Sequence, residues 1–323
     1  MLENLFEKIK FWYKNSRPYT IPITFLSWLV IFVYSLKQGG NIINGIIAYF
    51  GIALVHLATN LSDDYFDYRR LIKNGDFSKE EKASKCQYLK TGQASINDLR
   101  NVIIIMLTIA ALIGGILFII SGWKIILFAF AVLPIALFYS FLSSKGLGDI
   151  AVIIAYGPLM FEGVYYVMTK SLSVEVLILS LACSVFVNSI LYAHMLMDYD
   201  GDVASGKTTL CTRLGTKQNA LYGLMFFYLA GYIFIGYFAL NTANYLLFLT
   251  FITIPLTIDL YNMLKLYNKD ASSLPEIYPW HYPLDNWENI KNTVVAPFFV
   301  RFFYVRNIST YFMLLASLAI LLI

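Results

Sequence analysis

The chain alternates long apolar runs with shorter polar ones. Nine runs are apolar over roughly the length of a bilayer-crossing helix: 20–37, 42–59, 102–120, 125–142, 149–168, 174–197, 220–239, 244–264 and 308–323. A spanning helix needs about 20 predominantly apolar residues. The pattern predicts an all-α polytopic membrane protein, a bundle of nine transmembrane helices set in a lipid bilayer. Residues 1–19 read differently. They are basic and amphipathic, with Phe6, Ile9, Phe11 and Trp12 suited to a helix lying on the membrane surface, and no cleavage site precedes the first span. Residues 20–264 form the expected membrane core of eight spans. Residues 265–307 read as a long interfacial loop, with Pro275, Pro279, Pro283, Trp280, Trp287 and an amphipathic run from Val294 to Val305, and 308–323 as the ninth span.

Composition agrees with lipid as the solvent. Hydrophobic residues make up 59% of the chain and charged residues 14%, with a mean hydropathy of +0.65. Soluble domains carry about 25% charged residues, so a water-soluble globule, a disordered chain and a coiled coil are excluded. Cys86, Cys183 and Cys211 form no CxxC pair and suggest neither a disulfide framework nor a zinc site. The net charge of +4 shows no nucleic-acid patch. Its distribution says more. If the N-terminus is cytoplasmic and the spans alternate, the opposite side holds only Lys37, Lys124 and Lys170 of the 24 Lys and Arg. The positive-inside rule then puts the long polar connections, and the chemistry, on the cytoplasmic face of the cell membrane.

Two acidic clusters follow even-numbered spans. Asn60, Asp63, Asp64 and Asp67 fall at i, i+3, i+4 and i+7, on one helix face. His194, Asp198 and Asp202 repeat that face at i, i+4 and i+8, with Asp200 off the stripe unless Gly201 breaks the helix. The matching positions suggest that spans 1–4 and 5–8 are related halves. Adjacent carboxylates repel, and a cation relieves the repulsion. All-oxygen donors point to a hard metal, Mg²⁺, which takes a few carboxylates and completes its shell with phosphate oxygens. Basic residues flank both clusters: Arg69, Arg70, Lys73, Lys79, Lys82, Lys85 and Lys90 after the first, Lys207 and Arg213 after the second. Metal and cations together can absorb the charge of a departing diphosphate.

At this point the chain resembles the UbiA superfamily of intramembrane prenyltransferases, and within it the 1,4-dihydroxy-2-naphthoate polyprenyltransferase (MenA-type) branch. The first motif is Asn60-Leu-Ser-Asp-Asp-Tyr-Phe-Asp67. The second is Asp198-Tyr-Asp-Gly-Asp202 with Lys207 and Arg213-Leu-Gly215. Leu89–Ser95, Gly146–Asp149 and Tyr156–Val167 are similar to further segments of that branch. The resemblance implies a nine-helix bundle around a cavity open to the cytoplasm and laterally to lipid. It implies two Mg²⁺ ions held by Asn60, Asp63, Asp64, Asp67, Asp198 and Asp202, and an isoprenyl diphosphate contacted by Asn60, Lys207, Arg213, Arg69, Arg70 and Lys90. Ionisation would give an allylic cation that an aromatic acceptor attacks. Asp64, Asp67, Asp198, Asp202, Lys207 and His194 are the expected catalytic set.

The chain departs from the branch before the second motif, where His194, Met195 and Met197 replace an Asn pair and an Arg. His194 is placed to contact diphosphate or take a proton. Two other functions stay open on the sequence: a terpene cyclase on the same scaffold, needing no aromatic acceptor, and a transporter with ion sites at the acidic clusters. Glu162 and Asp259 are intramembrane acids with an expected structural or tunnel role, and His56, one turn before Asn60, reads as support for the motif or as packing.

Overall fold

The computed structural model describes residues 2–74 and 86–322, with the side chains of residues 2–4, 70, 71, 73 and 74 outside the description. Among the described residues the only non-helical pairing is an isolated parallel bridge between Lys145 and Thr208. The amphipathic N-terminal segment is α1 (Leu2–Asn15). Nine described helices are long and apolar enough to cross a membrane: α2 (Ile21–Lys37), α3 (Ile42–Asn74), α5 (Ile96–Ser121), α6 (Ile125–Ser144), α7 (Gly148–Thr169), α8 (Val174–Met197), α11 (Lys217–Asn241), α12 (Tyr245–Lys269) and α13 (Ala296–Leu321). Short helices α4 (Gln87–Lys90), α9 (Tyr199–Ala204) and α10 (Leu210–Arg213) lie in the connections.

Side-chain caps start several helices where the sequence places Ser or Thr. Ser95 and Asp98 make a capping box on α5, Thr209 and Thr212 make one on α10, and Ser173 and Thr216 cap α8 and α11. Helices α8 and α13 form the enclosed centre of the bundle, packed against α2, α7 and α11. On α5 and α6, by contrast, large apolar side chains such as Ile119 and Phe130 point outward, 82% and 73% exposed. Lipid is the solvent that makes such a surface stable.

Two spans are bent by identifiable residues. Helix α6 loses helical geometry at Phe138, four residues after Pro134. Helix α7 contains a π-turn over Ala155–Leu159, where Pro158 removes a backbone donor and Gly157 adopts φ −101°, ψ −107°. A Cβ on Gly157 would sit 2.8 Å from Ser184 Oγ of α8. The absent side chain is what lets the turn press against the neighbouring span.

Two boundaries differ from the sequence expectation. Helix α3 continues through the first acidic motif to Asn74. At 1.5 Å per residue it is about 50 Å long and overshoots the apolar layer. Helix α13 begins at Ala296, so the segment expected as a loop over 265–307 is a shorter strap over 270–295. Arg301 and Arg306 interrupt the apolar pattern there, but both are satisfied within the fold. Arg301 is fully buried. Its guanidinium donates to the carbonyls of Met263 (2.8 Å), Ser273 (2.9 Å) and Pro297 (2.6 Å) and lies 4.9 Å from the Tyr267 ring centre. Arg306 pairs with Asp285, and Asn307 donates to the carbonyls of His281 (2.7 Å) and Pro283 (2.9 Å). Asp259 of α12 accepts from His281 (2.8 Å), Trp280 (3.1 Å) and Tyr304 (3.1 Å). The strap is therefore tied to α12 and α13 by polar side chains, and the intramembrane acid Asp259 is one of its anchors.

Replacing Arg301 by Leu removes this donor from two buried carbonyls, Met263 and Pro297, and from the half-buried Ser273 carbonyl, and should cost about 2–4 kcal/mol. The detergent-solubilised variant should unfold several degrees below wild type in a size-exclusion thermal-shift assay. Arg301→Lys should recover only part of the loss, because a compact ammonium cannot span the same carbonyls.

Candidate active site

The first acidic motif sits on the last turns of α3 and faces the link between α1 and α2. Arg17, in that link, pairs with both Asp63 (3.5 Å) and Asp64. Its backbone is left-handed, φ 59°, ψ 56°, immediately before Pro18, a conformation rarely held by a non-glycine residue. The ion pair sits where that local strain is stored. Burial works against the charge on Arg17. The Asp64 and Asp63 carboxylates outweigh it and hold the guanidinium pKa above its ordinary value.

Asp64 is only 3% exposed. Its second oxygen accepts from the Tyr88 hydroxyl at 3.1 Å, and Cys86 Sγ donates to its carbonyl at 3.3 Å. Burial, then the charge of Asp64 and its hydrogen bond, push the Tyr88 phenol well above its usual range, so it remains a donor. Tyr88 is packed edge-on against Phe11 and Trp12 of α1, at 5.9 and 5.7 Å between ring centres. The N-terminal helix thus docks onto the motif through Phe11 and Trp12, which the sequence pattern assigns to the membrane surface, while Phe6 and Ile9 stay exposed. Asn60 donates through its amide nitrogen to the Ser16 carbonyl (2.9 Å) and Thr20 Oγ1 (3.2 Å), which fixes the orientation of its amide oxygen. Asp67 accepts from Ser140 Oγ of α6 at 3.1 Å.

The second motif is not one continuous helix. α8 ends at Met197, Asp198 has φ −89°, ψ 7°, and α9 starts at Tyr199. The hydrogen bonds Asp198 N to His194 O (3.0 Å) and Asp202 N to Asp198 O (2.9 Å) keep the i, i+4 register across the junction. His194 Nδ1 lies 3.1 Å from Asp198 Oδ2, and Phe298 and Phe302 of α13 meet the imidazole edge-on at 5.2 and 6.1 Å. Asp202 is 6% exposed. One oxygen takes Lys207 Nζ at 3.0 Å and the other has no hydrogen-bond partner. Asp200 points outward and pairs with Lys217, so it does not join the stripe.

Asp149, at the first turn of α7, is buried and accepts from Asn188 at 3.1 Å. Tyr139 lies in electrostatic reach of Asp63 and Asp149, and Cys211 of Asp149 and Asp202. Asp67 bonds to Ser140 near the end of α6 and Arg213 bonds to the Lys145 carbonyl just after it, so both motifs border the α6–α7 turn. Arg213 donates to the Lys145 carbonyl at 2.7 Å and clamps the α6–α7 turn to the second motif. Arg69 is exposed, 5.7 Å from the Tyr65 ring centre, and Lys90 is half-buried at the end of α4. The expectations for Arg70 and for Lys73 to Lys85 fall outside the described side chains. Glu162 lies toward the far end of α7 and accepts from the Ser173 backbone N–H at 3.3 Å.

Among the described residues, no three His, Cys, Asp or Glu side chains close into a ready-made metal cage. The donor set still suits a hard divalent cation. It is all oxygen, it is partly neutralised by Arg17 and Lys207, and it includes a buried Asp202 oxygen with no other partner. Arg17 is one of four basic residues in 1–19, and no sequence pattern marks it, Tyr88, Tyr139 or Ser140 as part of the site. The one available signal was an Arg-Pro pair directly before the first span.

A helical membrane protein with nine spans among the described residues and paired acidic motifs beside cations defines a class of lipid-embedded transferases. The chain belongs to the UbiA prenyltransferase family, which matches residues 21–277, and it is a prenyltransferase. It is 27% identical over 257 residues to 1,4-dihydroxy-2-naphthoate octaprenyltransferase of Haemophilus influenzae, covering 74% of this chain and 82% of that protein. The fold is shared with digeranylgeranylglyceryl phosphate synthase, at a TM-score of 0.65 and 16% identity over 98% of this chain and 100% of that one. It is also shared with a UbiA homolog from Archaeoglobus fulgidus bound to GPP and Mg²⁺, at 0.55 and 14% identity over 97% and 99%.

Gly146, between α6 and α7, has φ +69°, and a Cβ there would lie 2.9 Å from Arg213 Nε. Gly146→Ala should cost about 1–2 kcal/mol, part from the left-handed backbone and part from the displaced clamp. In an Arg213→Ala background only the backbone part should remain, which a double-mutant cycle of thermal unfolding measures.

Proposed function

We propose that this chain transfers an isoprenyl group from an isoprenyl diphosphate to an electron-rich hydroxylated arene of the dihydroxynaphthoate class, within the membrane and in quinone biosynthesis. The observation that carries the reading is a pair of acidic motifs bordering the α6–α7 turn, each with a buried aspartate held by a basic side chain, Asp64 by Arg17 and Asp202 by Lys207. Asn60, Asp63, Asp64, Asp67, Asp198 and Asp202 are the residues that would hold Mg²⁺. The metal, when bound, supplies positive charge to the diphosphate as it leaves.

The chain's own residues do the rest. Lys207 swings between Asp202 and the phosphate oxygens, giving a cation that moves with the leaving group. Arg17 is the corresponding cation at the first motif. Tyr88 keeps a donor on Asp64 and fixes its carboxylate. His194, held by Asp198 and two Phe edges, is the group of the second motif able to receive a proton. Arg213 acts at one remove, by holding the loop that carries Lys207. The motif-bearing end faces the cytoplasm, because all but three of the 24 Lys and Arg fall on that side of the alternating spans.

In purified protein with Mg²⁺, geranyl diphosphate and 1,4-dihydroxy-2-naphthoate, Asp64→Asn and Asp202→Asn should each slow diphosphate release by about 100-fold or more. Asp200→Asn, outward on its lysine, should stay within about twofold of wild type. EDTA should stop release and Mg²⁺ restore it. Full activity in both inner variants would remove the metal assignment. Cyclic hydrocarbon formed without any arene would replace transfer with cyclisation.

A further inference from the structure

Below Asn60 the chain builds a hydrogen-bond network that the roles above leave unused. His56 lies one turn deeper on α3, about 6 Å along the axis. Its Nε2 is 3.0 Å from Thr20 Oγ1. Its Nδ1 is 2.5 Å from Thr24 Oγ1 and 3.1 Å from the Tyr156 hydroxyl, and those two hydroxyls are 3.1 Å apart. Tyr156 belongs to the π-turn of α7. Such turns recur at functional sites, and this one exists because Gly157 and Pro158 break the helix beside it.

The proton inventory of the network can be closed. Thr20 Oγ1 donates to the Arg17 carbonyl at 2.8 Å and already receives Asn60 Nδ2. It must therefore accept from His56, which places the imidazole proton on Nε2 and leaves Nδ1 as an acceptor. Around Nδ1 the Thr24 and Tyr156 hydroxyls bring two protons. One goes to Nδ1 and the other bridges the two hydroxyls, whichever way round they run. Both are consumed. Tyr156 therefore has only oxygen lone pairs left to offer. His56 and Asn60, four residues apart on α3, both reach Thr20 Oγ1, and Tyr156 bonds His56, so the phenol lies beside the first motif, one turn deeper than Asn60.

We propose that Tyr156 is a specificity residue that accepts a hydrogen bond from the hydroxyl group of the arene, and that His56 is a positioning residue that keeps the Tyr156 proton turned away from it. This rests on the transfer reaction proposed above. A hydroxyl held by a lone pair pushes electron density into its ring, and an ether at the same place finds no donor to offer. Sites built to bond a hydroxyl reject analogues that lack it.

The test compares 1,4-dihydroxy-2-naphthoate with its mono-O-methyl ethers, using geranyl diphosphate and Mg²⁺, in wild type, Tyr156→Phe, His56→Leu and His56→Gln. Wild type should favour the free hydroxyl by about tenfold or more over one of the ethers in kcat/KM. Tyr156→Phe should raise KM for the dihydroxy compound about tenfold and lose the preference, with the KM for geranyl diphosphate unchanged. His56→Leu should behave like Tyr156→Phe, and His56→Gln, which keeps a donor and an acceptor, should recover most of the preference. Quenching of tryptophan fluorescence by the naphthoate, without diphosphate, should show the same weakening, and the unchanged KM for geranyl diphosphate confirms that the variants fold. An active wild type whose hydroxyl preference survives Tyr156→Phe overturns the inference and leaves the transfer reaction standing. A wild type that prenylates neither compound overturns the transfer reaction itself.

Discussion

A carboxylate in a helical membrane bundle must be given a countercharge or it will not stay ionised. In this chain that constraint is met at Asp64, 3% exposed, by Arg17 on one oxygen and the Tyr88 hydroxyl on the other. Much of the surrounding structure follows from keeping those two partners in place. Arg17 is held in a left-handed backbone between α1 and α2. Tyr88 is held by Phe11 and Trp12, which brings α1 down onto the end of α3. Asn60 reaches back to Ser16 and Thr20 and fixes the same link from the other side. The amphipathic N-terminal helix thus supports the first motif, with Phe11 and Trp12 packed inward and Phe6 and Ile9 exposed.

The second motif solves the same problem with different parts. Asp202 keeps Lys207 on one oxygen and holds the other in reserve, while Asp198 shares His194. Here the support comes from the far end of the chain. Phe298 and Phe302, which meet His194, lie on the first turns of α13, and those turns are fixed by Arg301 reaching the carbonyls of Met263 and Ser273. The strap over 270–295 therefore bears on the second motif although none of its residues belongs to it.

The nine spans were legible because lipid imposes one requirement, a long apolar run, that a single sequence displays directly. The acidic motifs were legible because helical spacing is fixed, so Asn60, Asp63, Asp64 and Asp67 had to share a face. What escaped depends on partners distant in the chain. The start of the last helix escaped, and residues 296–307 read as loop, because the partners that let Arg301 be buried there include the carbonyls of Met263 and Ser273, tens of residues away. Arg17 read as one basic residue among several because the positive-inside rule treats all cations alike. Asp200 could not be placed without knowing that Lys217 waits for it. The π-turn at Tyr156 needs the contact between Gly157 and Ser184 to be understood, and no local pattern announces it.

The central claim is that the two motifs together receive a metal-bound diphosphate and that Arg17 holds the first of them beforehand. The most direct measurement is a structure of the full chain with Mn²⁺ in place of Mg²⁺ and a non-ionisable isoprenyl thiodiphosphate, read by anomalous scattering. The account predicts metal density against Asp64 or Asp67 and against Asp198 or Asp202, with the diphosphate between them and Arg17 moved off Asp64 toward phosphate. Metal density away from both motifs, or a diphosphate bound elsewhere with Arg17 still on Asp64, would contradict it.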